Sequence, residues 1–217
     1  MTPTASIRIA GLFSIAFLGA IGGAINAALC YAKIPVAAAV DKNFDWQVIP
    51  AGAVHGAILA GVAVGVACLL TGKAVWLRLL TAPFAGWVGG YLSWVPLNPL
   101  VFDKPWSKSL SWPIGEATGI GLLFITFLYF GFVTAIYYVC LSLGGLSQRG
   151  LGVHLLYACT AGIAGSLWWW IGWKPWYLSL LHGTIWGMLV GYGTWRAVRA
   201  AALEDREVTS QRAGAGQ

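Results

Sequence analysis

The sequence predicts an all-α integral membrane protein, with six transmembrane helices arranged as three helical hairpins. Three observations carry this prediction. The chain is 59% hydrophobic and 9% charged, with a mean hydropathy of +0.75. It holds six apolar runs, each long enough to cross about 30 Å of hydrocarbon, which takes roughly 20 helical residues. The runs are continuous rather than alternating. That suits helices, which satisfy their own backbone groups in lipid, and argues against a β-barrel.

In chain order the spans are expected at about 9–32, 50–71, 76–97, 113–143, 151–173 and 177–200. Together they make one transmembrane domain over residues 1–202, followed by a polar cytoplasmic tail at 203–217. The first run follows Arg8 and reaches small residues at Ala27 and Ala28, the outline of a secretory signal. It is long for a signal core and is expected to stay as the first helix. The fourth run is long for one span, so it must tilt or project past the bilayer. The tail from Leu203 is polar and of mixed charge, and is expected to fray.

Charge sets the orientation. With the N-terminus inside, the inner side holds every arginine and Lys73, whereas Lys33, Lys42, Lys104, Lys108 and Lys174 fall outside. The positive-inside rule then places both termini in the cytoplasm and the protein in the cytoplasmic (inner) membrane of the cell. The net charge of +6 reports topology and contact with anionic lipid. Nucleic acid is not an expected partner, because no basic soluble face exists.

Nine of the thirteen tryptophans map to the outer side. Tryptophan favours the headgroup region, where its ring is apolar and its N–H finds a partner. The plain reading is an anchoring girdle. The functional reading is an aromatic platform of Trp94, Trp106, Trp112, Trp170, Trp173 and Trp176 that holds a sugar, a lipid headgroup or a pigment ring.

The hairpins carry an internal repeat. Residues 79–89 and 155–165 share Leu-Leu, Ala, Ala-Gly and Gly in register, and both segments lead on to Lys-Pro-Trp at 104–106 and 174–176. In the following helices Pro50-x-Gly52-x-x-x-Gly56 resembles Pro113-x-Gly115-x-x-x-Gly119, and His55-Gly56-Ala57-Ile58 resembles His182-Gly183-Thr184-Ile185. Three hairpins in the same orientation make a parallel repeat. Glycines recur at four-residue spacing (52/56, 61/65, 115/119, 183/187/191) and at three-residue spacing (19/22, 86/89, 162/165). Such stripes let helix backbones approach closely.

Ionisable groups inside the spans are rare. Glu116 is the only acidic residue within an apolar run, and His55 and His182 fall at similar depth on other spans. All lie roughly 5–9 Å below the outer boundary, at 1.5 Å per residue. The repeat makes His55, Thr118 and His182 equivalent. Glu116, His55, His182 and Thr118 are therefore the candidate substrate or proton site, because a charge held in hydrocarbon needs a partner and usually has a task. A carboxyl beside imidazoles can trade a proton near neutral pH. The same histidines can instead ligate a haem or chlorophyll-type pigment, or join the carboxylate around a metal. Each group also has a plain structural reading, the glutamate as a helix-start anion. His154 is expected at the inner interface. Cys30, Cys68, Cys140 and Cys159 read as small apolar fillers.

No GxSxG, HExxH, P-loop or dinucleotide fingerprint occurs, and no catalytic residue is assigned. Two classes stand open. One is a small carrier or channel for a solute or ion, working as a homo-oligomer. The other is a non-catalytic subunit of a hetero-oligomeric redox or photosynthetic complex that binds lipid, pigment or haem.

Overall fold

The computed structural model describes residues 7, 9–32, 46–69, 76–77, 80–81, 150–172 and 176–215. These form four helices and no strands: α1 (Ile9–Tyr31), α2 (Val48–Leu69), α3 (Leu151–Gly172) and α4 (Trp176–Ala215). Their boundaries follow the first, second, fifth and sixth apolar runs to within two residues, except at the C-terminal end of α4. The fourth run and almost all of the third lie outside the described residues; helical pieces at 76–77 and 80–81 belong to the third.

Among the described residues, one helix is long and apolar enough to cross a membrane, over Ile9–Leu29 with a mean hydropathy of 1.9. Shorter apolar stretches cover Ile49–Val62 and Leu151–Ile163. The surface of α1 matches its composition. Ile9, Phe13 and Phe17 recur every fourth residue and are 73%, 72% and 66% exposed. An outward apolar stripe of this kind marks a contact surface, for lipid or for another protein.

The tail departs from expectation. It does not fray after Leu203; α4 runs on as helix to Ala215, for 40 residues. At 1.5 Å per residue that is about 60 Å, twice the thickness of a hydrocarbon core. The physical reason is that helix nucleation is the costly step. A segment already attached to a formed helix only has to propagate, and the tail supplies good formers such as Ala201, Ala202, Leu203, Glu204 and Arg206. Thr209 and Ser210 turn their hydroxyls back to the carbonyls of Asp205 and Glu207 at 2.7 and 2.8 Å.

The helices form a row in the order α2, α1, α4, α3. Each packs on its neighbour, while α2 and α4 barely meet. All three interfaces are antiparallel, and glycine sets their register. A Cβ added at Gly52 would lie 2.7 Å from the carbonyl oxygen of Gly23, and one at Gly56 would strike the carbonyl of Gly19. In the second hairpin a Cβ at Gly183 would lie 2.5 Å from the carbonyl carbon of Gly162, and one at Gly187 would lie 2.5 Å from Cys159 Cα. Gly191 completes that seam against Ala158 and Leu155.

The seam on α1 is Gly19/Gly23 rather than the expected Gly19/Gly22. Gly22 instead faces α4, where a Cβ would sit 3.1 Å from Trp186 Cα. Adjacent residues lie about 100° apart around a helix, so Gly22 and Gly23 serve different neighbours. Between the seams, Ile15, Ala60, Val64, Ala158, Ala161, Trp186, Val190 and Val198 form one buried apolar cluster.

Gly23→Ala and Gly56→Ala should each destabilise the protein by about 1–3 kcal/mol, the usual cost of overpacking, read as a lower thermal midpoint in mild detergent. Gly65→Ala, with nothing among the described residues within 4 Å of the added methyl, should leave the midpoint unchanged or slightly raised.

Candidate functional site

His55 lies seven residues into α2, and His182 six residues into α4. Both therefore stand about 10 Å below the start of their helices. The glycine that follows each histidine is the residue that packs backbone-on-backbone against the preceding helix: Gly56 against Gly19 and Gly23, and Gly183 against Gly162. The two hairpins thus hold their histidines by the same device. Because α1 packs antiparallel on both α2 and α4, its residues 22–26 stand level with 52–56 of α2 and 182–186 of α4.

Two further polar side chains occupy this level. Asn26 donates from Nδ2 to the carbonyl oxygen of His182 at 3.0 Å, tying α1 to α4. Its Oδ1 is buried and accepts no hydrogen bond. Trp186 is 7% exposed and donates from Nε1 to the carbonyl oxygen of Gly56 at 3.4 Å, reaching across from α4 to α2. The indole therefore bridges the two histidine-bearing helices beside His55. The imidazoles of His55 and His182 are each partly buried, and His55 Nδ1 is shielded from solvent.

Of the four residues expected to form the site, His55 and His182 are described. His55 and His182 share one level of the helix row. Glu116, Thr118, Trp94, Trp106, Trp112 and Trp173 lie outside the described residues. Trp170 is placed near the end of α3 and Trp176 at the start of α4, the same end as the histidine level. Among the described residues, no group of three or more His, Cys, Asp or Glu side chains could hold a metal ion. Cys159 is a free thiol that leans on the carbonyl of Thr184 at 3.8 Å, in keeping with a small filler at a tight helix crossing.

Sequence reasoning missed Asn26 and Trp186. Asn26 carried a usable signal, since it is the only carboxamide inside the six apolar runs. Trp186 carried a weaker one: it lies one turn beyond His182 on the same helix face. His154, expected at the inner interface, lies in the first turn of α3 at the opposite end of the hairpin and is buried against α4, 5% exposed.

Asn26→Ala should cost about 0.5–1.5 kcal/mol, the range for one interhelical hydrogen bond, measured by denaturation in detergent. The chain matches no protein-family model, no curated protein and no solved structure.

Proposed function

We propose that this chain is a six-span protein of the cytoplasmic membrane, built as three parallel hairpins with both termini in the cytoplasm. In this reading it works as a small carrier or channel for a solute or ion. The observation that carries the reading is the polar level formed by Asn26, His55 and His182 across three helices of an otherwise apolar row. Polar and ionisable groups are costly at membrane depth and are seldom kept there without a task.

The hairpin architecture draws support from the two described hairpins. In both, a His-Gly pair on the second helix seats its glycine against a glycine of the first. The remaining segment offers Thr118-Gly119 at the matching sequence position, with Glu116 half a turn away. In the proposed site Glu116 and the two imidazoles share a proton. The apolar surroundings raise the cost of the free carboxylate, and a neighbouring imidazolium lowers it again. That balance lets the site change charge state as a solute enters and leaves.

A second reading draws on the matched depth of His55 and His182: each supplies a nitrogen to haem or to a chlorophyll-type pigment in a larger redox or photosynthetic assembly. The indole of Trp186, lodged between the two helices at that level, favours the carrier reading.

In proteoliposomes under an imposed pH gradient, solute uptake is expected to be abolished by Glu116→Gln and lowered by His55→Gln and His182→Gln. Uptake unchanged in Glu116→Gln rules out that carboxyl as the coupling group. An absorption spectrum of the purified protein separates the two readings. A colourless sample is expected; a Soret or pigment band lost in both His55→Ala and His182→Ala would transfer the assignment to the second reading.

A further inference from the structure

A cleft of about 390 Å³ opens between α3 and α4 at the end of the hairpin away from the polar level. Its α4 wall is one helix face, with Trp195, Arg199, Ala202 and Arg206 at spacings of four, three and four. The opposite wall is the start of α3, at Leu151 and His154. Among the described residues no carboxylate lines it; Glu204, Asp205 and Glu207 occupy other faces of α4.

Three features of the cleft point to an anionic occupant. The guanidinium carbon of Arg199 sits 5.4 Å from the centroid of the Trp195 ring, a cation–π contact that steadies the side chain before any ligand arrives. The first turn of α3 directs the positive end of a 22-residue helix at the same space. The third feature is His154, which is 5% exposed and sits within the lining. Its Nδ1 is 3.4 Å from the carbonyl oxygen of Gly150. Its Nε2 is buried and has no hydrogen-bond partner, and a buried polar atom left without one is costly.

We propose that this cleft binds a phosphate group, through the guanidinium of Arg199, the first-turn amides of α3 and Nε2 of a protonated His154. Burial opposes a charge on this ring, and the bound anion is what offsets that cost; in the imidazolium form both ring nitrogens donate, Nδ1 to Gly150 and Nε2 to the anion. Donors arriving from two helices suit a tetrahedral anion better than a planar carboxylate. Leu203, part of the lining and 52% exposed, offers an apolar edge along which an acyl chain can lie. The source of the phosphate that fits this setting is an anionic lipid of the cytoplasmic leaflet, which arginine clusters at the inner membrane surface attract. That source rests on the proposed membrane orientation; the phosphate site itself does not.

The test uses the full chain, delipidated in mild detergent. Its thermal midpoint is followed on titration with phosphatidylglycerol, with phosphatidylcholine and with inorganic phosphate. Phosphatidylglycerol is expected to raise the midpoint and phosphatidylcholine to leave it unchanged. Arg199→Gln and His154→Gln should each weaken binding about tenfold or more, as loss of a charge-assisted hydrogen bond predicts. Arg212→Gln, outside the cleft, should bind as the parent does. A rise with inorganic phosphate that phosphatidylglycerol does not exceed keeps the site and overturns its lipid source. Equal response to both lipids with none to phosphate overturns the proposal. Parent-like affinity in Arg199→Gln, an exposed position whose folding is checked by monodisperse elution, overturns it too. Failure here leaves the carrier reading untouched, because Glu116, His55 and His182 take no part.

Discussion

Backbone contact at glycine is the constraint on which the rest of this structure depends. In the proposed membrane setting, helices gain little from burying apolar side chains against one another, because the lipid is equally apolar. What remains is close van der Waals packing, and glycine permits the closest approach. At Gly19, Gly23, Gly52 and Gly56, and again at Gly162, Gly183 and Gly187, the space where a Cβ would stand is filled by the backbone of the next helix. Side chains can adjust to a crowded neighbour; backbone cannot. These positions therefore fix both the distance and the register of the antiparallel pairs.

Register in turn decides what stands at each depth. Gly56 and Gly183 each follow a histidine, so seating the glycines places His55 and His182 at matched levels. The same register sets Asn26 beside the carbonyl of His182 and lets the indole of Trp186 reach the carbonyl of Gly56. A packing device made of residues without side chains thus organises the few polar groups the bundle contains. It also links two pairs of helices into one row, since α1 meets α2 through Gly23 and α4 through Gly22.

The two ends of the α3–α4 hairpin gather different groups. Among the described residues, the end bearing His182 sets Asn26 and the indole of Trp186 beside it. The other end gathers Arg199, Arg206 and the start of α3 around His154. The length of α4 makes this second end what it is. A helix stopping near residue 200 would leave Arg206 off the face it now shares with Trp195 and Arg199. Continued propagation of an already formed helix is what carries that residue into the wall of the cleft.

Helix identity, and with it the positions of α1, α2 and α3, was legible in the sequence because hydropathy is a local property: a continuous apolar run allows few structures in lipid. The pairing of His55 with His182 in depth was legible too, through the His-Gly repeat. Asn26 and Trp186 were not, because their roles come from a partner more than a hundred residues away in the chain. Nor could the sequence alone separate Gly22 from Gly23. Either can continue a stripe from Gly19, at three- or four-residue spacing, and which neighbour each serves is decided by how three helices cross. The burial of His154 and the helical tail were decided at the same tertiary level. One depends on α3 lying against α4, and the other on α4 being already formed when the polar segment begins. Composition determined what each segment is; the geometry of glycine-mediated crossing determined what each residue faces.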